Sequence, residues 1–378
     1  MKSIKEKLLH LHKLDEVLRV EELAGKKVAI FHDGVGVQDM LQLIAESENA
    51  QGNDEAFTIV NLTTCYNKYE EWCRKIPRIQ SFYAIKCNND PLIAKVLADA
   101  GCGFDCASDE EINQTLGKKL TTAENIIYAN PVKQRSFIGY ADKLGVRKMT
   151  FDNVEELDKI REMHNKPELV LRIRVDDPAA ENNLGVKFGC DPPLENGKEL
   201  LTAAQTMKLP VIGIAFHVGS RAHDPQSYCR GIMFARRLFD IGTQLGHQMR
   251  LLDIGGGYPG FDTEKISFDR MAQAINGALD EYFPAKDFGH VRMISEPGRF
   301  FASTAYSLMV NVIGATKVPA SRITKNNEDK DKEGYMYYLN DGCHGSFNSI
   351  VYDHSHPHGQ ELLITKHSPE DSSKTYPQ

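Results

Sequence analysis

Residues 81–107, SFYAIKCNNDPLIAKVLADAGCGFDCA, contain the pattern that decides the fold of this chain. Two short β-rich runs, SFYAIK (81–86) and GFDCA (103–107), flank the segment DPLIAKVLADAG, whose polar and apolar residues fall on opposite faces of a helix. A strand, a helix and a second strand in this order are typical of a parallel α/β fold.

The same alternation continues along the chain and adds up to eight strand–helix units. Helical candidates such as SDEEINQTLG and NVEELDKIREMH separate the β-rich runs. A closed barrel of this kind occupies about 250 residues, which the chain can supply. We therefore predict a (β/α)8 barrel over residues 63–303. The six further β-rich runs lie at 125–130, 148–152, 169–175, 211–218, 250–256 and 291–297.

The two chain ends, residues 1–62 and 304–378, predict a second, β-rich domain. The charged segment NNEDKDKEG within the later part has no core residues and predicts a surface loop, and the polar tail after residue 364 predicts another. The β-rich runs of this domain are KKVAIFHDG (26–34), AFTIVNL (56–62), TAYSLMVNVIGATKV (304–318) and YMYYLNDG (335–342).

The composition limits the class of protein. Hydrophobic residues make up 41% and charged residues 26%, as in globular domains, and the net charge of -7 argues against nucleic acid as a partner. No apolar run approaches the roughly 20 residues of a membrane span, and the first residues lack a signal-peptide core, so we predict a cytoplasmic protein without a membrane partner. The eight cysteines form no CxxC pair, and we expect reduced thiols and no metal site.

Polar residues follow the predicted barrel strands at the ends where barrel enzymes place their active sites. Each has an ordinary explanation alone: a solvated lysine, a tight glycine turn, a core histidine, a local ion pair. Their occurrence at several strand ends favours one shared site. These residues are Lys86, Asp105, Arg172, His217, Ser220, Gly255, Gly256, Gly257, Glu296, Pro297, Gly298 and Arg299.

This set matches the needs of one cofactor, pyridoxal phosphate. The cofactor requires a lysine for covalent attachment, a carboxylate near the pyridine nitrogen and hydrogen-bond donors for the phosphate. Lys86, Glu296 and the glycines 255–257 provide these groups. We therefore predict an enzyme that binds pyridoxal phosphate and acts on a small amino-acid substrate.

The motifs FYAIKCNND, GFDCAS, IIYANPVKQ, FHVGS, LLDIGGGYPG, ISEPGRF and YLNDG occur in this order. With them the chain resembles the eukaryotic ornithine decarboxylases, pyridoxal-phosphate enzymes with an alanine-racemase-like barrel. The resemblance implies decarboxylation of L-ornithine to putrescine in polyamine biosynthesis, carried out by a homodimer.

The resemblance also implies a role for each site residue. Lys86 would hold the coenzyme covalently, Glu296 would keep the pyridine nitrogen protonated, and His217 would stack on the ring. Asp105 and Arg172 would line the site, while Asp341 would pair with the distal ammonium of the substrate. The phosphate would be held by Ser220, the turn of Gly255, Gly256 and Gly257, and Arg299 with its preceding Pro297 and Gly298.

Several departures from the family bear on activity. Family members continue into segments resembling WGPxCDG and GAYT, which complete the partner subunit's site and the phosphate site, so we expect low turnover from residues 1–378 alone. Arg221 and His344 replace a glycine and a tyrosine that are usual in the family. Two alternatives stay open. One is an inactive regulator that binds antizyme, which the retained site residues disfavour. The other is a decarboxylase of lysine or arginine. Ornithine and lysine differ by one methylene, which contributes little binding energy to substrate discrimination.

Overall fold

The computed structural model describes residues 17–352 except 33 and 183, and also residues 357, 359, 360 and 362. The chain divides into two compact units. One runs from Leu62 to Ala305, and the other combines the residues before Leu62 with those after Ala305. The predicted tail after residue 364 lies outside the described residues.

The N-terminal part of the second unit begins with a hairpin of β1 (Val17–Leu23) and β2 (Lys26–Phe31). Ala24 and Gly25 join the strands with φ of 50° and 76°, the positive values that a tight hairpin turn requires. The helix α1 (Val37–Ala50) and the strand β3 (Phe57–Val60) follow. The predicted strands at 26–34 and 56–62 are confirmed, whereas β1 was not predicted.

The other unit is a closed barrel of eight parallel strands, numbered β4 to β11 along the chain. Around the barrel, neighbouring strands follow the order β10-β11-β4-β5-β6-β7-β8-β9. Each strand coincides with one of the predicted runs to within a few residues, and the predicted barrel is confirmed. The strands are mostly buried because helices cover their outer faces. They are β4 (Gln80–Ala84), β5 (Gly103–Cys106), β6 (Ile126–Tyr128), β7 (Lys148–Phe151), β8 (Glu168–Arg174), β9 (Val211–His217), β10 (Leu251–Asp253) and β11 (Arg292–Ser295).

Helices connect the strands, and local signals fix their ends. Asp90 begins one of them, since its side chain accepts a hydrogen bond of 2.8 Å from the backbone of Leu92, and Gly101 ends it with φ of 103°. The helices of this unit are α2 (Leu62–Lys75), α3 (Pro91–Ala100), α4 (Asp109–Leu116), α5 (Arg135–Lys143), α6 (Val154–Met163), α7 (Glu195–Thr206), α8 (Gln226–Gln244), α9 (Phe268–Tyr282), α10 (Ala285–Phe288) and α11 (Arg299–Ala302).

The C-terminal part of the second unit is also β-rich, which confirms the predicted second domain. The predicted run 304–318 divides into β12 (Tyr306–Met309), which pairs with β3, and β13 (Val312–Pro319), which pairs with β14 (Glu333–Leu339). The run divides because the two halves pair with different strands. Two short helices, α12 (Ser321–Thr324) and α13 (Ser349–Tyr352), complete the described part. Among the described residues, no helix is long and apolar enough to cross a membrane.

Candidate active site

Several polar side chains point into the barrel near the C-terminal ends of its strands. We call this end of the barrel the mouth. Phe82, Val170, Leu251 and Ile294, from four different strands, meet in one buried cluster, which places their side chains inside the barrel. Because strand side chains alternate, residues two positions further along point to the same interior. These residues are Ala84, Arg172, Asp253 and Glu296, at or just beyond the C-terminal strand ends.

Lys86 and Asp105 form an ion pair at this mouth. Lys86 lies in a 3-10 turn directly after β4, and its Nζ contacts Oδ2 of Asp105 on the neighbouring strand β5. Asp105 is fully buried, whereas the Lys86 side chain is 47% exposed. Burial lowers the pKa of Lys86, but the negative charges of Asp105 and Glu296 outweigh it and raise the pKa above its ordinary value.

Two buried acids, Asp253 and Glu296, lie on the adjacent strands β10 and β11. Asp253 accepts a hydrogen bond of 2.9 Å from the backbone of Gly255 through Oδ1. Its Oδ2, like Oδ1 of Asp105, has no hydrogen-bond partner among the described residues. Burial raises the pKa of Asp253 to about 7, and burial with repulsion from Asp105 and Asp253 raises the pKa of Glu296 well above its usual value. Neither carboxylate forms an ion pair with a lysine or arginine among the described residues, although the charge of Arg172 acts to lower the pKa of Asp253 and that of Lys86 acts to lower the pKa of Glu296.

Arg172 and His217 occupy the next two strands. Arg172 is 9% exposed, and its guanidinium lies 5.1 Å from the ring centre of Phe188. The pKa of His217 lies far below its usual value, mainly because the side chain is buried and also because Arg172 and Lys86 place positive charges near it. Its Nδ1 accepts the N–H of Gly219 at 3.1 Å, so the proton of the neutral ring is on Nε2. His217 thus presents an uncharged ring to the mouth.

Gly255, Gly256 and Gly257 form a turn that no side chain could occupy. Gly255 and Gly257 have φ of +66° and +115°, which favour glycine. A Cβ on Gly255 would lie 2.2 Å from the carbonyl oxygen of Phe216, and one on Gly256 would lie 2.6 Å from that of Glu296. The N–H groups of Gly256 and Gly257 donate to no partner among the described residues. Such paired donors are suited to an anion.

Two further loops border this turn. In the loop after β9, Ser220 pairs through its backbone with Asn182, while Ala222 donates to the carbonyl of Gly257 at 3.0 Å. Arg221, with φ of 54°, forms an ion pair with Glu181. Its charge is therefore partly balanced.

The segment after β11 contacts the lysine turn. The Ala84 N–H donates to the Pro297 carbonyl at 3.2 Å, and a Cβ on Gly298 would lie 2.8 Å from Cβ of Cys87. Arg299 follows as the first residue of α11. A glycine is required at residue 298 for this close approach.

Comparison with known proteins places these residues in a family. Residues 62–303 match the family described as "Pyridoxal-dependent decarboxylase, pyridoxal binding domain". The chain belongs to the pyridoxal-dependent decarboxylases. It is 48% identical to an ornithine decarboxylase of Panagrellus redivivus over 342 residues, which are 90% of this chain and 78% of the relative. It is 41% identical to antizyme inhibitor 2 of Xenopus laevis over 343 residues, 90% of this chain and 73% of that protein.

Solved structures agree with this membership. The arginine decarboxylase of Paramecium bursaria Chlorella virus superimposes with a TM-score of 0.75 and 32% identity, covering 86% of this chain and 83% of that one. The predicted family is confirmed, and pyridoxal phosphate, the family's coenzyme, is the cofactor.

The charges and hydrogen-bond donors of the mouth also fit this pyridoxal-dependent chemistry. Lys86 has an amine at the mouth, and Asp253 and Glu296 are buried acids with raised pKa values and no ion pair among the described residues. The N–H groups of Gly256 and Gly257 likewise have no partner in the described part of the chain. A coenzyme with a basic ring nitrogen and a phosphate has the two charges that these regions lack.

Asp341 was predicted to contact the substrate, whereas no role was predicted for Asp253. Asp341 belongs to the second compact unit, where its Oδ1 accepts hydrogen bonds from the backbones of Gly342 and Ser346. Its role toward substrate stays a prediction. Asp253 lies in the quoted motif LLDIGGGYPG, but no role was predicted for it. A carboxylate on a buried parallel strand, two residues before the glycine turn, was the available signal.

Proposed function

We propose that this chain decarboxylates L-ornithine to putrescine, a step of polyamine biosynthesis, with pyridoxal phosphate as coenzyme. The observation that carries the proposal is the contact of Lys86 with buried Asp105 at a mouth that also holds Glu296. The 48% identity to an ornithine decarboxylase supports ornithine as the substrate.

When bound, pyridoxal phosphate supplies a conjugated ring that accepts the electron pair released as carbon dioxide leaves the α-carbon. Lys86 would hold the coenzyme through its amine. Because Asp105 and Glu296 keep this amine protonated, it must lose a proton before its nitrogen can act as a nucleophile. Asp105 is the natural acceptor, since its carboxylate contacts Nζ.

Glu296 would hold the proton on the pyridine nitrogen. Burial and the nearby acids raise the pKa of its carboxyl, and an adjacent positive charge would favour its ionised form. A carboxylate that stabilises a cationic ring strengthens electron withdrawal as bonds break, so Glu296 should affect rate more than coenzyme affinity.

His217 and the glycine turn would hold the two other parts of the coenzyme. The neutral imidazole of His217 can stack on an aromatic ring without adding charge to it. Gly256 and Gly257 would donate their N–H groups to the phosphate, with Ser220 and Arg299 adding a hydroxyl and a positive charge. Arg172 would line the site beside Asp105.

The proposed substrate role of Asp341 follows from its charge. Hydrogen bonds from Ser346 hold the pKa of Asp341 below its usual value, so the carboxylate is ionised at neutral pH. An ionised carboxylate suits the distal ammonium of ornithine. Asp341→Asn should therefore raise KM for ornithine with a smaller change in kcat, and an unchanged KM would exclude this role.

The main experiment measures carbon dioxide release from ornithine, lysine and arginine in the presence of pyridoxal phosphate. We expect the highest kcat/KM for ornithine, and borohydride trapping with peptide mapping should label Lys86. A preference for lysine or arginine would overturn the substrate. Labelling at another lysine would overturn the site.

A second candidate, a regulator that binds antizyme, is favoured by the 41% identity to antizyme inhibitor 2. The two candidates differ in both readouts. Antizyme binding by purified protein without carbon dioxide release from any of the three amino acids would support the regulator. The ion pair of Lys86 and Asp105 supports the enzyme, because a regulator has no need of it.

We propose a homodimer, which sedimentation of the purified chain would test, and a cytoplasmic location, which fractionation of cells would test. Both are supported by the resemblance to ornithine decarboxylases.

A further inference from the structure

Three buried hydroxyl groups lie behind the glycine turn. Tyr228 OH donates to the carbonyl oxygen of Gly256 at 2.9 Å, and Ser295 Oγ donates to that of Gly255 at 2.5 Å. Tyr258 OH lies 2.8 Å from Ser295 Oγ. Because the Ser295 hydroxyl has one proton and gives it to Gly255, Tyr258 must be the donor in the last bond.

These bonds set the direction of the N–H groups in the turn. In a trans peptide the C=O and the following N–H point in opposite directions. Hydroxyls that hold the carbonyls of Gly255 and Gly256 on one side therefore hold the N–H groups of Gly256 and Gly257 on the other. These are the N–H groups that have no partner among the described residues.

The surroundings favour aromatic rings but do not by themselves require hydroxyls. Tyr228 and Tyr258 stack at 5.2 Å, and Tyr258 meets Trp72 edge-on at 4.9 Å in a fully buried cluster. Phenylalanine would fill the same space, and a buried hydroxyl without a partner is unfavourable. Burial raises the pKa of Tyr228 and of Tyr258, so both stay protonated donors. The hydroxyls are therefore explained by their bonds to the turn.

We propose that Tyr228, Tyr258 and Ser295 are positioning residues that preorganise the glycine turn for the phosphate of the coenzyme. This inference rests on the proposed function, since it assumes that the turn receives that phosphate. The three side chains act through the backbone of Gly255 and Gly256 and need not touch the ligand. Their effect should appear in affinity for the phosphate and should be absent for a ligand without it.

The test compares dissociation constants of pyridoxal phosphate and of pyridoxal, measured by absorbance titration of the apoprotein. Tyr228→Phe should weaken pyridoxal phosphate binding about five- to tenfold, the effect of losing one hydrogen bond, and change pyridoxal binding less than about twofold. Ser295→Ala should have a smaller effect of the same kind, because the Glu296 N–H still donates to Gly255 at 2.8 Å.

Tyr128→Phe is the matched control. The Tyr128 hydroxyl is buried and has no hydrogen-bond partner among the described residues, so its removal should leave both constants unchanged. Thermal unfolding would check that each variant is folded, and Ser295→Ala tests the inference if Tyr228→Phe fails to fold.

Equal weakening of both ligands, or unchanged pyridoxal phosphate binding in Tyr228→Phe and Ser295→Ala, would overturn the positioning role. The proposed function fails in a different way. If the unsubstituted protein bound pyridoxal phosphate no better than pyridoxal, the turn would not be a phosphate site, and both proposals would fall together.

Discussion

The barrel unit contains two buried charge clusters that differ in how fully their polar groups are paired. In the first, the Lys133 network, Lys133 and Glu156 form an ion pair of 2.8 Å with exposures of 0% and 1%, and Lys159 pairs with the other oxygen of Glu156. Lys133 Nζ also donates to the carbonyls of Asn130 and Thr150 at 3.1 Å and 2.6 Å. All three of its protons are used.

The second cluster, the mouth acids Asp105, Asp253 and Glu296, is as deeply buried but incompletely paired. One oxygen of Asp105 and one of Asp253 have no partner among the described residues. Burial raises the pKa of Asp253 to about 7 and that of Glu296 well above its usual value. Completely paired buried charges hold a loop in place, whereas incompletely paired ones with shifted pKa values are typical of a functional site.

The largest effect should come from Lys86, whose amine lies beside the mouth acids. Lys86→Ala should abolish the visible absorption of bound coenzyme and lower kcat/KM about a thousandfold or more, because the nucleophile is lost. Absorption spectra and carbon dioxide release measure this. The control is Lys95→Met, which removes a half-buried helical lysine paired with Asp99 and should keep both signals. A coloured, active Lys86→Ala protein would refute the assignment.

A substitution in the Lys133 network should lower the stability of the folded protein. Lys133→Met leaves Glu156 buried with Lys159 as its remaining cationic partner, and should lower the free energy of unfolding by about 3 kcal/mol, the lower end of the range for breaking a buried pair. Urea unfolding would measure it. Lys95→Met, which breaks an exposed pair, should change stability by less than about 0.5 kcal/mol. Equal losses in the two variants would remove the contrast between the clusters.

Removing the charge of Glu296 should affect rate. Glu296→Ala should lower kcat about a hundredfold, the range of general acid–base effects, and weaken coenzyme binding much less. Glu296→Gln keeps the shape and should lose nearly as much, since the charge is what supports the ring nitrogen. Steady-state kinetics and coenzyme titration separate the two effects, and an unchanged kcat in either variant would contradict the proposed role.

The sequence predicted the barrel and most of the mouth for physical reasons that apply locally. Parallel strands show as short β-rich runs, and the barrel rule brings residues such as Lys86 and Glu296 to one end. The partnership of Asp253 with Glu296 could not be predicted, because it depends on which strands are neighbours: Asp253 lies opposite Ile294 in the register of β10 and β11. The hydroxyl of Tyr228 was missed similarly, since a contact with a distant backbone carbonyl leaves no local pattern.

The last prediction, a pH dependence of stability, tests whether burial raises the pKa values of the mouth acids. A carboxyl whose pKa is higher in the folded than in the unfolded protein binds more protons when folded, so stability falls as pH rises between the two values. For Asp253 this window runs from pH 3.8, its ordinary pKa, to about pH 7, its pKa in the folded protein. Without coenzyme, Asp253 contributes at most about 1.4 kcal/mol per pH unit to this fall.

Asp253→Asn removes one of these protons while Glu296 and Asp105 stay in place, and Lys86 still offsets part of their charge. Urea unfolding of the apoprotein between pH 5 and pH 8 should therefore show a shallower decline in the variant, with a gain in relative stability toward pH 8. Glu264→Gln, at an exposed position, is the matched control and should follow the unsubstituted protein. Parallel pH profiles for Asp253→Asn and the unsubstituted protein would mean that Asp253 is already ionised in the fold, and the comparison between the two clusters would then rest on Glu296 alone.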